Sequence, residues 1–319
     1  MSVRLADAMT VGVLGAGAVG CYFGARLSQA AVEVTLVARP RHVEAIARDG
    51  LLIQGAEGTE AVRVAASTDL AAIAGADVVL VTVKSVDTEA TADLIAAHLC
   101  RETLIVSLQN GVDNAWRLRA RVPNPVVPAV VYVSTEMERP GVVRHNGGGR
   151  IVVGTPLASD AQQPAAGARL DTLVARFNEA GVPCVRSADV RVDLWTKLAT
   201  NCAYNAISAI TGLRYGYIAS DVEARGVMSA TTDELVAVAQ ADGVALSAEV
   251  AHAAVRAIAD VMPGALSSTA QDLQAGRPTE IEALNGHVVR RGRELGVATP
   301  VNATVTMLVR LLEQRSRHT

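Results

Sequence analysis

Thr10-Val-Gly-Val-Leu14 runs directly into Gly15-Ala16-Gly17-Ala18-Val19-Gly20. The first five residues form a short apolar, β-rich run, and the spacing beyond the glycines predicts a helix over Val19–Gln29. A glycine triplet in a strand–turn–helix context is the fingerprint of a dinucleotide site. Gly15 makes the tight turn, Gly17 lets the backbone approach a pyrophosphate, and Gly20 permits close helix–strand packing. The helix N-terminus adds amides and the positive end of its dipole. Glycines alone also mark ordinary turns; the flanking strand and helix separate the two readings. Residues Gly15, Ala16, Gly17, Ala18, Val19 and Gly20 are the first cofactor-binding candidates.

The same alternation continues outward. Further candidate strands are Glu33–Val37, Val78–Val83, Thr103–Ser107 and Val126–Val133, and helix-like segments fall at Val19–Gln29, Arg41–Asp49, Val86–His98 and Asn114–Arg121. Near-continuous apolar strands with helical crossovers indicate a parallel sheet covered on both faces. Glycine-rich stretches at Gly55–Gly58 and Gly147–Gly149 read as hairpin turns decorating that sheet. Near residue 188 the pattern changes to helical periodicity alone, over about 191–212, 221–242, 248–261, 279–295 and 301–315. The expected fold is α/β: an N-terminal Rossmann-type doubly wound sheet at 1–188, with an all-helical domain at 189–319.

Composition narrows the function classes. The 319 residues carry 29 basic and 32 acidic side chains, a formal charge of −3, and half are apolar. That balance argues against nucleic acid or an anionic membrane surface as partner. No apolar run reaches the ~20 residues of a membrane span. Val11–Val19 could pass for a signal-peptide core, but Asp7 upstream and the alternating glycines read as a strand entering a turn. The four cysteines, Cys21, Cys100, Cys184 and Cys202, form no C-x-x-C pair and lack histidines at zinc-ligand spacing. A reduced, cytoplasmic protein without a metal is expected.

The second strand ends Thr35-Leu-Val-Ala-Arg39. NAD-selective domains place Asp or Glu there to hold the ribose 2′-hydroxyl. A guanidinium can instead form charge-assisted bonds to a 2′-phosphate, so Arg39 points to NADP(H), with Arg41 or Lys84 as helpers. The bland alternative is a solvated loop arginine. Lys84 and Asn110 both fall at carboxyl ends of strands, where open α/β sheets bind ligands. Asn110-Gly111 is also a favoured tight turn.

The segment Leu194-Trp-Thr-Lys197-Leu-Ala-Thr-Asn201-Cys-Ala-Tyr-Asn205-Ala-Ile-Ser208 is the most informative outside the glycines. At about 100° per residue, Lys197, Asn201, Asn205 and Ser208 fall near roughly 0°, 40°, 80° and 20° of one helix face. A plain amphipathic helix shows a similar split. Short amides and hydroxyls are poor helix-interior residues, however, and one cation among them suits a cleft wall. Farther on, Ser267-Ser268 precedes Thr279-Glu280-Ile-Glu282. Thr279 and Glu282 fit a capping box, and Glu280 in the same first turn suits the helix dipole.

Taken together, these segments resemble the ketopantoate reductase (2-dehydropantoate 2-reductase) family. The matches are the glycine fingerprint, Arg39, Val83-Lys84-Ser85, Gln109-Asn110-Gly111, Leu194-Trp-x-Lys197-Leu-x-x-Asn201-x-x-x-Asn205, Ser267-Ser268-x-x-Gln271-Asp272 and Thr279-Glu280-Ile-Glu-x-Leu-Asn-Gly286, in the family's order. The resemblance implies NADPH-dependent reduction of ketopantoate to pantoate in pantothenate biosynthesis. By that resemblance Lys197 protonates the 2-oxo oxygen, and Glu280 orients Lys197 or holds the substrate hydroxyl. Asn201, Asn205 and Ser268 hold the small 2-oxo acid. Asn110 lies between nicotinamide and substrate, and Glu280 and Lys84 join the cofactor site. A homodimer through the helical domain is left open. The sequence departs from the family on the substrate side. Ala206-Ile207 follows Asn205 where Pro-Leu is usual, and Gly212–Ser220 contains no further asparagine. Two alternatives stay open: a paralogous NADP-dependent reductase of another small 2-oxo acid, and a non-catalytic NADP(H)-sensing protein. Arg214 is a candidate for the substrate carboxylate, with a surface role as its rival.

Overall fold

A computed structural model describes residues 9–157, 159 and 162–318. The chain divides into two compact units, one running to Gln109 and from Asp113 to Val190, the other holding Asn110–Val112 and Arg191 onward.

The first unit carries ten strands: β1 (Thr10–Leu14), β2 (Glu33–Val37), β3 (Leu51–Gly55), β4 (Gly58–Val62), β5 (Ala65–Ser67), β6 (Val78–Val81), β7 (Leu104–Ser107), β8 (Val126–Arg139), β9 (Val142–Val153) and β10 (Cys184–Arg186). Its helices are α1 (Ala18–Gln29), α2 (Pro40–Asp49), α3 (Thr88–Ala96), α4 (Asn114–Arg119) and α5 (Gln163–Glu179). Strands β5-β2-β1-β6-β7-β8 are neighbours and all parallel. That is the doubly wound order, with the turn after β1 at the point where the order reverses. Strand β9 returns antiparallel to β8, and the β3–β4 hairpin and β10 attach to it.

Strand β6 shows why the apolar runs had to be continuous. All four of its residues are sealed from solvent, and successive side chains enter opposite cores. Val78 and Leu80 join Phe23 and Leu27 of α1 and Phe177 of α5. Val79 and Val81 join Ile95 of α3 and Leu118 of α4. At about 1.5–3 kcal/mol for each fully buried Val, Leu or Phe, these two layers anchor the sheet from both faces.

The second unit is helical: α6 (Val190–Thr211), α7 (Tyr215–Ser220), α8 (Val222–Ala241), α9 (Ala248–Val261), α10 (Ser268–Gln274), α11 (Asn285–Leu295) and α12 (Pro300–His318). Ala206 of α6 packs with Ile281, Val305 and Val309 in one of its apolar clusters. Glu234 of α8 accepts hydrogen bonds from the Val301 and Asn302 amides at 2.8 and 2.9 Å, capping α12 across helices.

The structure corrects the sequence reading in three places. Gly55–Gly58 does close the β3–β4 hairpin, but Gly147–Gly149 lies inside β9, where the β8 pairing slips register. Gly148 has φ +74°, and a Cβ there would sit 2.5 Å from the Tyr132 carbonyl oxygen, so the glycines make a bulge. The helix expected from Thr279 starts at Asn285. The Thr279 hydroxyl accepts the Ile281 amide at 3.2 Å, two residues on, and the turn closes on the Glu280 carbonyl. Glu282 therefore caps nothing; Arg290 (2.8 Å) and Arg310 hold its carboxylate and pull it below the ordinary carboxylate range. Helices α5, α7 and α10 were not expected, being broken by Gly167 or only six to seven residues long.

Candidate active site

In the first unit, the turn after β1 is built around Gly15. Its φ of +99° favours glycine, and a Cβ there would lie 2.7 Å from the Val83 amide nitrogen. The Gly15 and Ala16 amides donate to the Val37 carbonyl, at 3.4 and 3.2 Å, which ties the turn to the end of β2. Thr82 supplies a lock that sequence reasoning missed. Its hydroxyl donates to the Gly15 carbonyl at 2.6 Å. A polar residue directly after the apolar run of β6 is the signal. At Gly20 a Cβ would meet that same Thr82 Oγ1 at 2.5 Å. Gly17 is different: it is exposed, with nothing but the Gly15 carbonyl, at 3.9 Å, near an added Cβ. It is also the N-cap of α1 and offers no side-chain cap to the first-turn amides of Ala18, Val19 and Gly20. An exposed helix N-terminus of this kind receives a phosphate group directly.

Arg39 precedes α2 as its N-cap and is exposed, as is Arg41. Burial, then the charges of Arg41 and Arg39, holds the His42 imidazole below its ordinary range. The end of β2 is thus electropositive, two residues beyond the carbonyl that the glycine turn grips. Lys84 follows β6 at the start of a short 3₁₀ turn and is half-buried. These residues fit a phosphorylated dinucleotide: an open backbone cradle, a helix N-terminus, and cations at the adjoining strand end.

In the second unit, α6 brings Lys197 to Asn110. Lys197 Nζ donates to Asn110 Oδ1 at 3.0 Å, and Asn110 Nδ2 donates to Glu280 Oε2 at 3.1 Å. One carboxamide therefore links cation and carboxylate drawn from positions 87 and 170 residues away. Gly111, at φ +102°, makes the turn that presents Asn110, so the turn reading of Asn-Gly is met at the same residue that bonds Lys197 and Glu280. Burial pulls the Lys197 ammonium down to about 8, against the opposing pull of Glu280. A cation just above neutrality stays protonated at pH 7 yet gives up a proton readily.

The remaining stripe divides. Asn201 is half-buried, one turn along from Lys197, whereas Asn205 and Ser208 are buried. Asn205 Oδ1 accepts from the Tyr215 hydroxyl at 3.1 Å, and its backbone carbonyl accepts from Ser267 Oγ at 3.2 Å. Ser267 also caps α10 through the Ala270 amide, while Ser268 beside it is exposed. Ser208 bonds the Leu213 carbonyl and the Ser267 amide. Arg214 is exposed and donates to the Gly264 carbonyl. Among the described residues no group of three His, Cys, Asp or Glu is placed to hold a metal. No described helix is long and apolar enough to cross a membrane.

Comparison with known proteins supplies independent findings. The profile of the family described as ketopantoate reductase PanE/ApbA matches residues 11–157, and that of its C-terminal region matches residues 189–313. A 2-dehydropantoate 2-reductase of Halobacterium salinarum is 33% identical over 309 residues, covering 96% of this chain and 99% of that protein. One of Vibrio cholerae is 33% identical over 307 residues, covering 96% and 98%. The crystal structure of a PanE/ApbA family ketopantoate reductase from Ralstonia eutropha JMP134 superposes with a TM-score of 0.88. It is 46% identical and covers 97% of this chain and 100% of its own.

Proposed function

Because the chain belongs to the ketopantoate reductase PanE/ApbA family, we propose that it reduces 2-dehydropantoate (ketopantoate) to pantoate with NADPH, in pantothenate biosynthesis. The observation that carries this reading is the Lys197–Asn110–Glu280 chain of hydrogen bonds. In this reading residues 1–188 bind the dinucleotide and residues 189–319 bind the substrate. The amides of Gly15–Gly20 receive the pyrophosphate, and Arg39, aided by Lys84, receives the 2′-phosphate. When bound, NADPH supplies the hydride to the 2-oxo carbon. Reduction leaves negative charge on the former 2-oxo oxygen, and Lys197 both stabilises that charge and donates the proton. Asn110 fixes the Lys197 ammonium, and Glu280 fixes Asn110 and sustains the positive charge on the lysine. Asn201, Asn205 and Ser268 supply hydrogen bonds to the carboxylate and hydroxyl of the acid. The same reading places the protein in the cytoplasm, consistent with its free cysteines. It includes a homodimer through the helical unit, whose α12 exposes Met307, Leu308 and Leu311.

The test compares ketopantoate with 2-oxoisovalerate, which has the branched chain without the hydroxymethyl group, by NADPH absorbance loss. A site that hydrogen-bonds the substrate hydroxyl should favour ketopantoate by about a hundredfold or more in kcat/KM, more than a missing methylene explains. Comparable rates would indicate a broader 2-oxo acid reductase, and turnover of neither would overturn the reading.

A further inference from the structure

The stretch Gly212–Ser220 has no asparagine, but it carries Tyr215, whose hydroxyl reaches the substrate-binding candidate Asn205. We propose that Tyr215 is a positioning and specificity residue. By donating to Asn205 Oδ1, its hydroxyl orients the carboxamide so that Nδ2 meets an acceptor oxygen of the 2-oxo acid. This inference rests on the proposed function and adds a residue to that site.

Asn205 is 2% exposed. With Oδ1 bonded to the phenol, the unbonded group is Nδ2, which can only donate. Nδ2 bonds no described residue. It is not among the described side-chain polar atoms that are sealed without a partner: His42 Nδ1, Thr135 Oγ1, Thr269 Oγ1 and Asn285 Oδ1. It therefore reaches solvent from a buried residue, as a donor awaiting an acceptor. Were the carboxamide reversed, its carbonyl would face that opening and repel a carboxylate.

The hydroxyl bonded to Asn205 Oδ1 is itself positioned by the backbone on either side of it. The Tyr215 amide donates to the Ala265 carbonyl at 3.0 Å, and the Gly216 amide to the Pro263 carbonyl at 2.9 Å. A Cβ on Gly216 would press on Pro263 at 3.2 Å, so α7 is seated against the 263–265 segment. The Tyr215 ring packs on Tyr204 with centroids 4.7 Å apart. Burial raises the phenol above its ordinary value, so it remains a donor throughout the neutral range. Ser267 holds the Asn205 backbone and sets its neighbour Ser268 on the same segment. Asn205, Tyr215 and Ser268 thus share one rigid support.

The experiment is a double-mutant cycle of Tyr215→Phe and Asn205→Ala. It is read as KM for ketopantoate and, independently of turnover, as the calorimetric Kd of oxamate, an unreactive 2-oxo acid mimic. Loss of one oriented hydrogen bond should raise both for Tyr215→Phe by roughly tenfold, with kcat and NADPH affinity little changed. In the Asn205→Ala background Tyr215→Phe should add nothing. Asn205→Asp gives a second route: it keeps the acceptor for Tyr215 but removes the donor, and should lose oxamate affinity. An unchanged KM and Kd in Tyr215→Phe, or additive losses across the cycle, overturns the inference and leaves the function reading intact. If the wild type reduces no 2-oxo acid, the function reading falls, and the oxamate cycle still decides the role of Tyr215. A wild type that also binds no oxamate overturns both.

Discussion

Replacing Glu280 by Gln removes one negative charge and keeps the shape of the side chain, so it isolates the carboxylate's action on Lys197. Two hydrogen bonds of 3.0 and 3.1 Å in series through one carboxamide put the charges at most about 8 Å apart. At an effective dielectric near 20 that separation is worth about 2 kcal/mol. Both groups are half-buried, and solvent screening cuts the figure to about 1 kcal/mol. At 1.36 kcal/mol per pH unit, the Lys197 ammonium should fall by roughly 0.7 unit from about 8. The sign follows from its role. In the proposed role Lys197 must be protonated to act, so activity falls as pH rises through the lysine's value. The basic limb of the kcat/KM profile, which reports the enzyme before it binds substrate, should lie near pH 8 in the wild type and move to lower pH in Glu280→Gln. At pH 6.5 the variant should retain most of its chemistry; at pH 8.5 it should be several-fold further depressed than the wild type. The assay is NADPH absorbance loss at substrate well below KM from pH 6 to 9.5. A basic limb that stays in place, or moves upward, would refute the electrostatic coupling of Glu280 to Lys197.

Two further outcomes test the first unit. Arg39→Ala should weaken NADPH binding by roughly tenfold to a hundredfold, the value of a charge-assisted bond of about 1.5–3 kcal/mol, while NADH binding barely changes; equal losses for both cofactors, measured by fluorescence titration, would show that Arg39 does not read the phosphate. Gly20→Ala places a methyl 2.5 Å from Thr82 Oγ1 and 2.7 Å from the Gly15 carbonyl, so overpacking of about 1–3 kcal/mol should lower Tm by several degrees and impair NADPH binding. A thermal melt superimposable on the wild type would contradict the packing argument.

What could be read from the sequence was whatever depends on short-range pattern. The glycine triplet sits between a strand and a helix within about twenty residues, and its roles follow from steric limits at single positions. The continuous apolar strands carry their own signature, because a strand buried on both faces cannot alternate. Lys197 and Asn201 declared a shared face because helix geometry fixes neighbours four residues apart. Resemblance joined Glu280 to that face; spacing alone had assigned it a place near a helix start.

Tertiary structure decided everything that depends on partners distant in the chain. Asn110 could be a turn, a ligand or both; only packing showed one carboxamide bonded to Lys197 and to Glu280. Asn205 and Ser208 share the period of Lys197, yet they are buried and bonded to Tyr215, Leu213 and Ser267. Periodicity assigns a direction around a helix axis, not what meets the side chain there. The same limit explains Gly147–Gly149, which spell a turn locally but lie mid-strand because β8 pairs past them. It also explains Glu282, whose spacing from Thr279 spells a cap. Arg290 and Arg310 claim its carboxylate, because two charge-assisted bonds outweigh one amide contact. Local sequence sets the candidates for each backbone and side-chain group, and long-range competition for those groups selects among them.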